Sequence, residues 1–334
     1  MIVRAAAIMS IVMTGLVVGV GCVSEEETAT PREAAAPISV REQPVVQGQC
    51  AGKLALEGDR QIVILSGGRL RSALLHVPAS YDSDVGTPLV LNFHYYTGTP
   101  LLQAALSQMN PVSDARGFIV AYPAGIGASF NFGSCCGLAW QLGVDDVQFA
   151  RDLVAAISRE YCIDPSRIHA TGMSNGAALA HRLGCEAADV FASIAPVAAV
   201  LPEPSTCVPS RPISVLQFHG TADPLVPYDG SEPMLPPGFP VPAGTFDYYP
   251  VVDSIGAWRQ IDGCPASPAL TYANGDATCV AWSPCNGGTA TELCTIDGGG
   301  HTWPGGTPIP LVGPTSQDLE ASEKMIDFFE AHPM

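Results

Sequence analysis

A serine between two glycines is the residue of this chain best suited to nucleophilic chemistry. Gly172 and Gly176 flank Ser174 in a G-x-S-x-G pattern, between a predicted strand at 168–171 and a predicted helix at 175–183. In such a turn the serine backbone is strained, and glycine two residues away on either side avoids steric clashes. The pattern predicts a nucleophile held above the carboxyl ends of the strands. The alternative is a plain strand-to-helix turn with an incidental serine.

A serine hydroxyl needs a base, and the base needs an acid that orients it. In a strand–turn–helix site of this kind the order along the chain is serine, acid, histidine, each on a loop after a strand. Asp223 follows a predicted strand at 213–218, and His301 follows a predicted strand at 291–296 in a glycine-rich loop. The sequence therefore predicts a catalytic triad of Ser174, His301 and Asp223.

Six other histidines and two other acids compete for these roles. The histidines lie inside predicted elements, at the end of the chain or ahead of the required position: His76, His94, His169, His181, His219 and His332. Asp229 is the rival acid to Asp223. Asp297 is too close to His301 in sequence to be an obvious partner.

The elements that would position these residues alternate between strands and helices. Strands are predicted at 74–77, 88–93, 118–122, 168–171, 193–200, 213–218 and 291–296, and helices at 145–157, 175–183, 252–261 and 316–330. Asp145 or Asp146 is predicted to cap the first of these helices. This alternation predicts an α/β fold with a mainly parallel sheet that is covered by helices on both faces. Residues 229–249 are rich in Gly and Pro and predict a long loop of the kind that borders a site.

The composition limits the class of partner. The 334 residues carry 15 Lys and Arg against 32 Asp and Glu, a formal net charge of -17. Such a chain would be repelled by a polyanion, so nucleic acid is not expected as a partner. With 47% hydrophobic and 14% charged residues, the chain has enough apolar volume for a sizeable core.

The first fifty residues predict export. Residues 1–21 carry one charged side chain, Arg4, and an apolar run that ends just before Cys22. This is typical of a secretion signal, and the small residues ahead of Cys22 indicate the lipoprotein type, in which that cysteine is lipidated. The alternative is a single transmembrane helix, for which the run is short, since a span needs about 20 residues. Residues 22–50 lack aromatic residues and predict a flexible tether, which leaves 51–334 as the catalytic domain.

Ten cysteines remain after Cys22, and their even number in an exported chain predicts disulfides. They are Cys50, Cys135, Cys136, Cys162, Cys185, Cys207, Cys264, Cys279, Cys285 and Cys294. Zinc is the minor alternative because no C-x-x-C pair occurs, and no metal site is predicted. Cys135 and Cys136 are neighbours, and a trans peptide would set their Cα atoms about 3.8 Å apart, closer than an ordinary disulfide prefers. Each is therefore expected to bond elsewhere, with a strained vicinal bridge as the alternative.

Four stretches together resemble secreted α/β-hydrolases of the poly(3-hydroxybutyrate) depolymerase and feruloyl esterase group, related to carbohydrate esterase family 1. They are Gly172-Met173-Ser174-Asn175-Gly176, His219-Gly220-Thr221-Ala222-Asp223-Pro224, Gly300-His301-Thr302-Trp303-Pro304-Gly305, and Gly133-Ser134-Cys135-Cys136-Gly137 followed by Val144-Asp145-Asp146-Val147. The resemblance runs from about residue 72 to 329. It implies an α/β-hydrolase fold and hydrolysis of carboxylic esters by the Ser174, His301 and Asp223 triad.

One residue departs from the pattern of the group. Members usually carry His-Gly after the third strand, whereas here His94 is followed by Tyr95. The oxyanion hole is predicted to form from the backbone N–H groups of Tyr96 and Asn175, because backbone donors do not depend on side-chain identity. A bulky Tyr95 could instead twist this loop or narrow the cleft.

Four aromatic residues indicate an apolar cleft for an aromatic or short acyl group: Trp140, Trp303, Tyr95 and Tyr96. Trp303, two residues after the proposed base, and Tyr95 are predicted to contact substrate, whereas Trp140 is more typical of core packing. The mechanism requires no metal or organic cofactor.

The first functional hypothesis is an extracellular or lipid-anchored esterase that acts on plant cell-wall feruloyl esters. The alternatives are a depolymerase of short-chain polyhydroxyalkanoates, a serine exopeptidase on the same fold, and a catalytically silent surface-binding lipoprotein. The expected partner is an ester substrate, and the membrane is contacted only through the lipid on Cys22.

Overall fold

A ten-stranded sheet runs through the part of the protein that the computed structural model describes, which is residues 50–235, 237, 238, 240, 244 and 248–334. The strand order is β1-β2-β4-β3-β5-β6-β7-β10-β9-β8. The strands are β1 (Gly58–Ser66), β2 (Arg69–Val77), β3 (Thr87–Phe93), β4 (Ile119–Pro123), β5 (Ile163–Met173), β6 (Ser193–Val197), β7 (Ser214–Gly220), β8 (Ala269–Asn274), β9 (Ala277–Trp282) and β10 (Thr291–Ile296).

The centre of the sheet is parallel and its edges are antiparallel. β4, β3, β5, β6, β7 and β10 pair in parallel, so their carboxyl ends meet at one edge of the sheet. β1 and β2 form an antiparallel hairpin at one side, and β9 and β8 form another at the opposite side. Loops that leave the parallel strands at the carboxyl edge are thereby brought together, and this is the edge where α/β sheets bind ligands.

Helices cover both faces of the sheet. They are α1 (Pro100–Ser107), α2 (Met109–Arg116), α3 (Gly137–Gln141), α4 (Asp146–Glu160), α5 (Asn175–Glu186), α6 (Val251–Ile261) and α7 (Ala321–Ala331). Leu89, Leu91 and Phe93 of β3 lie in the buried cluster that holds the apolar residues of α4 and α5. Val90, which points the other way, lies in the cluster that holds those of α1, α2 and α7. The predicted α/β fold with a helix-covered parallel sheet is confirmed.

Some element bounds differ from the prediction. The α4 helix begins where its cap predicts, since the Asp145 carboxylate accepts a hydrogen bond from the Gln148 N–H at 2.9 Å. The strand predicted at 193–200 ends at Val197, and the last helix begins at Ala321 rather than 316. Strands β1, β8 and β9 were not predicted. β1 and β8 are the two edges of the sheet and are only partly buried, and β9 lies between β8 and β10.

All ten cysteines from residue 50 onward are paired in five disulfides. The pairs are Cys50–Cys162, Cys135–Cys136, Cys185–Cys207, Cys264–Cys285 and Cys279–Cys294. The expectation that Cys135 and Cys136 each bond elsewhere is wrong. It assumed a trans peptide between them, whereas that peptide is cis and the Cα atoms lie 3.1 Å apart. Cys50, assigned above to the tether, is bonded to Cys162 and therefore belongs to the folded domain.

The predicted signal at 1–21, the lipidation site Cys22 and the rest of the tether lie outside the described residues. Among the helices that the structure describes, none is long and apolar enough to cross a bilayer.

Candidate active site

Ser174 lies at the sharp turn between β5 and α5, which we call the elbow. Its backbone has φ +56° and ψ -118°, a conformation that side-chain-bearing residues rarely adopt. The turn passes so close to the end of β3 that a Cβ on Gly176 would lie 2.2 Å from Phe93 O, and a Cβ on Gly172 would lie 2.6 Å from the same atom. Both positions must therefore be glycine, and the half-buried Ser174 is presented at the carboxyl edge of the sheet.

The structure joins the predicted base and acid directly. His301 Nδ1 lies 2.8 Å from Asp223 Oδ2, and the two side chains are 4% and 0% exposed. A carboxylate can only accept, so Nδ1 carries the proton and Nε2 is left as the basic nitrogen. Asp223 follows β7 and His301 follows β10, and these two loops are tied by a hydrogen bond from Ala222 N–H to Gly299 O at 2.9 Å.

The surroundings of Asp223 keep it ionised. Burial alone would raise the pKa of this carboxyl, but His301, His219 and the Val226 N–H together lower it below the ordinary value. Oδ1 accepts hydrogen bonds from the N–H groups of Leu225 and Val226, each at 2.8 Å. His219 Nε2 lies 3.4 Å from Oδ2 and donates to Val226 O at 2.8 Å. The carboxylate is therefore fixed with one oxygen facing His301.

Ser174 lies at the same edge of the sheet as His301 and Asp223 but is not hydrogen-bonded to either. No hydrogen bond joins the Ser174 hydroxyl to His301 in the described part of the chain. The Ser174 N–H donates to Val197 O at 2.9 Å at the end of the neighbouring β6. Met173, next to the serine, and Trp303, two residues from the histidine, lie in one buried cluster. The elbow and the histidine loop therefore share a core.

Two backbone N–H groups are available at the predicted oxyanion hole. Neither the Tyr96 N–H nor the Asn175 N–H donates a backbone hydrogen bond within the residues described. The Asn175 N–H opens α5, where helical N–H groups have no intrahelical acceptor. The Asn175 side chain bonds both ways to Phe130, with Nδ2 donating to its carbonyl at 2.8 Å and Oδ1 accepting from its N–H at 2.7 Å. The amide thereby fixes the elbow against a neighbouring loop.

His94 fixes the peptide that carries the Tyr96 N–H. Its Nε2 accepts from Gly125 N–H at 3.0 Å, so Nδ1 holds the proton and donates to Tyr95 O at 2.8 Å. Burial lowers the pKa of His94 to about 4, which keeps the ring neutral. Gly98 N–H donates to the same carbonyl at 2.9 Å. Because Tyr95 O and Tyr96 N–H lie on opposite sides of one trans peptide, pinning the carbonyl aims the N–H the other way.

A mostly apolar pocket of about 270 Å³ adjoins Ser174. Most of the residues that line this pocket were not predicted from the sequence. The signal that could have found some of them is that the Cys-Cys-Gly stretch and the residues after Asp223 belong to, or adjoin, the motifs of the group. The described lining includes Tyr96, Phe132, Cys135, Cys136, Leu225 and Val226. Asn131 holds one side of the wall in place, since its N–H donates at 2.7 Å to Asp146, whose carboxylate also binds Arg71 at 2.7 Å.

The predicted substrate contact at Trp303 is wrong. Trp303 is 0% exposed and packs in the core, and its indole N–H donates to Ser322 Oγ at 3.2 Å. The chain turns inward directly after His301, so closeness in sequence did not bring the ring to the pocket. Tyr95 is half-buried against the same cluster, and burial raises its pKa. The tyrosine that lines the pocket is Tyr96.

Comparison with known proteins identifies the family of the chain. The chain is 32% identical over 239 residues to feruloyl esterase B of Piromyces equi, which covers 69% of this chain and 42% of that enzyme. It is also 32% identical over 337 residues to NocK, a candidate esterase of Nocardia uniformis subsp. tsuyamanensis, and this match covers 94% of the chain and 95% of NocK. The chain belongs to the feruloyl esterase group of α/β-hydrolases. The members of this group are carboxylic ester hydrolases, as the resemblance implied. No protein-family model matches the sequence.

Solved structures agree on the fold of this esterase. Acetyl xylan esterase from Aspergillus awamori superposes with a TM-score of 0.54 at 17% identity, covering 81% of this chain and 99% of that one. At this identity the likeness establishes the α/β-hydrolase fold alone.

One group of potential metal ligands occurs among the described residues of the esterase. Cys279, Glu292 and Cys294 have ligand atoms within 4.8 Å of one another. The two cysteines share a disulfide, and Glu292 pairs with Lys324 Nζ at 2.8 Å. A thiolate site is therefore not formed there.

Proposed function

We propose that this ester hydrolase works by acyl transfer through a Ser174, His301 and Asp223 triad, on feruloyl-type esters of plant polysaccharides. The observation that carries the proposal is the buried hydrogen bond between His301 Nδ1 and Asp223 Oδ2 at the edge where Ser174 is presented. It supplies an oriented base, which a serine nucleophile requires.

In the proposed first step, Ser174 Oγ attacks the ester carbonyl while His301 Nε2 takes its proton. Asp223 stabilises the imidazolium that results. His301 then gives the proton to the departing alcohol, which leaves an acyl group on Ser174. Water, deprotonated by His301, attacks the acyl-enzyme, and collapse of the second tetrahedral intermediate releases the acid and regenerates the serine.

The tetrahedral intermediates would place their oxyanion between the N–H groups of Tyr96 and Asn175. The neutral His94 and the Asn175 amide hold these donors before substrate arrives, so no reorganisation is needed as the charge develops. The replacement of the usual glycine by Tyr95 leaves both backbone donors in place.

The size of the pocket favours an aromatic acyl group over acetyl. An acetyl group would leave most of a cavity of about 270 Å³ unfilled, and an unfilled apolar wall loses its dispersion contacts. A feruloyl group presents a flat ring to the apolar side chains of Phe132, Leu225 and Val226. The hydroxyl of Tyr96 or Tyr248 could meet its polar substituents, since both residues line the pocket.

Hydrolysis of methyl ferulate, p-nitrophenyl acetate and 3-hydroxybutyrate oligomers by wild type and Ser174→Ala tests the proposal. We expect serine-dependent turnover with kcat/KM highest for methyl ferulate. Equal rates from both proteins would refute the nucleophile. Serine-dependent cleavage confined to the acetate or to the hydroxybutyrate oligomers would refute the feruloyl assignment.

We further propose that the protein is exported and anchored by a lipid on Cys22. Five disulfides among the described residues fit an oxidising compartment. Replacement of Cys22 by Ser should release the protein from the membrane fraction. Unchanged partitioning would refute lipidation.

A further inference from the structure

The tryptophans of this esterase are distributed unevenly between core and surface. All four lie in the described part of the chain. Trp258 and Trp303 are 0% exposed and Trp282 is 9% exposed, whereas Trp140 is 37% exposed. Trp140 is therefore the one tryptophan of the four that keeps more than a third of its surface exposed to solvent.

Trp140 lies on the helix that continues from the pocket wall. Cys136 lines the pocket and caps α3, and Trp140 follows it by four residues, with its N–H directed at Cys136 O at 3.4 Å. Residues four apart share one helix face, and side chains lean toward the helix N-terminus. The indole therefore extends over the turn that bears Cys136. A Cβ on Gly137 would lie 2.8 Å from the Tyr96 ring, so the same turn also packs against Tyr96, whose N–H is one of the two proposed oxyanion donors.

The chemistry of α3 defines the kind of group that would lie on it. The helix reads Gly-Leu-Ala-Trp-Gln and carries no charge. Leu138, two residues before Trp140, is 44% exposed. A neutral ligand with an apolar face suits this surface better than an ion does. The C–H face of a pyranose or furanose ring is such a face, and its hydroxyls remain in water.

We propose that Trp140 is the platform on which the sugar ring of the alcohol half of the substrate stacks. This rests on the proposed function, in which the pocket holds the acyl group and the sugar projects from its mouth. The choice of this ligand follows from the position of Trp140. Cys136 and Tyr96 line the pocket, and Trp140 lies four residues after Cys136, on the helix that Cys136 caps.

Comparison of two ester substrates tests the platform. Trp140→Ala should lower kcat/KM about tenfold on a feruloylated arabinoxylo-oligosaccharide, and leave methyl ferulate within about twofold of wild type. Trp140→Phe should retain most of the activity. Leu142→Ala, which also removes an exposed apolar side chain, should change neither substrate. Equal losses of Trp140→Ala on both substrates, or no loss on either, would overturn the platform.

Direct binding separates this proposal from the proposed function. Because Trp140 is the one exposed indole, an unesterified arabinoxylo-oligosaccharide should quench wild-type fluorescence saturably, and calorimetry should detect binding that Trp140→Ala lacks. Binding of the sugar without cleavage of methyl ferulate would support the platform and refute the proposed function. Cleavage of methyl ferulate without quenching by the oligosaccharide would support the proposed function and overturn the platform. Quenching that depends on protein concentration alone would show that a second copy covers Trp140 and would overturn the platform.

Discussion

His301 Nδ1 lies 2.8 Å from Asp223 Oδ2 although the two residues are 78 positions apart in sequence. The contact depends on the sheet order, because β7 and β10 are adjacent parallel strands and their loops leave at the same edge. Two backbone N–H groups hold the other oxygen of Asp223. The carboxylate is therefore oriented before substrate binds.

Replacement of Asp223 should impair His301 as the general base. We expect Asp223→Asn to lower kcat on methyl ferulate by about 10⁴-fold, because the amide favours the wrong tautomer of His301. The matched control is Asp229→Asn, which alters the exposed rival acid and should retain wild-type kcat. Steady-state kinetics of the two variants show which aspartate is the acid of the triad. A loss of kcat confined to Asp229→Asn would assign that role to Asp229.

The hydrogen bond that His94 Nδ1 donates to Tyr95 O should affect kcat. The side-chain amide of Asn lies where His94 Nδ1 lies and can donate to Tyr95 O in its place. The longer Gln places its amide near the position of Nε2, so the hydrogen bond to Tyr95 O is lost. We therefore expect His94→Gln to lower kcat by up to about 100-fold, on the scale of one oxyanion donor, with little change in KM, and His94→Asn to recover much of it. His76→Gln is the control at a distant histidine. If Gln and Asn gave the same kcat, the peptide between residues 95 and 96 would not be positioned by His94.

His94 should also shape the dependence of stability on pH. Its pKa is lowered from 6.5 to about 4 in the folded protein. Between these values the unfolded chain binds a proton that the folded chain does not, so the free energy of unfolding falls as the pH drops from 6.5 to about 4. His94→Asn should make this dependence shallower by up to about 1.4 kcal/mol per pH unit. Urea unfolding between pH 7.5 and 4.5 measures it, and parallel curves for the two proteins would contradict the assignment.

The disulfide between β9 and β10 should stabilise the antiparallel edge. Cys279 and Cys294 lie directly opposite each other in the ladder and are 15 residues apart. Cys279→Ala with Cys294→Ala should lower the free energy of unfolding by about 3 kcal/mol. Removing the Cys50–Cys162 pair, which closes a loop of 112 residues, should cost more, about 4.7 kcal/mol on the same chain-entropy model. The opposite ranking in chemical denaturation would argue against the loop-entropy explanation.

Sequence was sufficient where the cause of a feature is local. The elbow at Ser174 requires two glycines at fixed spacing, and the start of α4 requires a capping carboxylate at Asp145, so both can be read from neighbouring residues. The α/β fold followed from the alternation of apolar runs. These features were predicted with their approximate bounds.

Sequence failed where the cause is tertiary. Trp303 was expected at the substrate and Trp140 in the core, whereas Trp303 is buried and Trp140 is 37% exposed, because the direction of each ring depends on which distant elements pack around it. The Ser322 hydroxyl that binds the Trp303 indole comes from α7. The pairing of Cys135 with Cys136 was missed as well, because spacing alone does not reveal which cysteines pair.

The central claim is that Ser174 is made nucleophilic by His301 and Asp223. Its most direct test is the rate at which a fluorophosphonate modifies the protein, followed by intact mass, with peptide mapping of the adduct. We predict a single adduct on Ser174 in wild type, and a rate at least about 10³-fold slower in His301→Ala. An adduct on another residue, or an unchanged rate in His301→Ala, would contradict the claim.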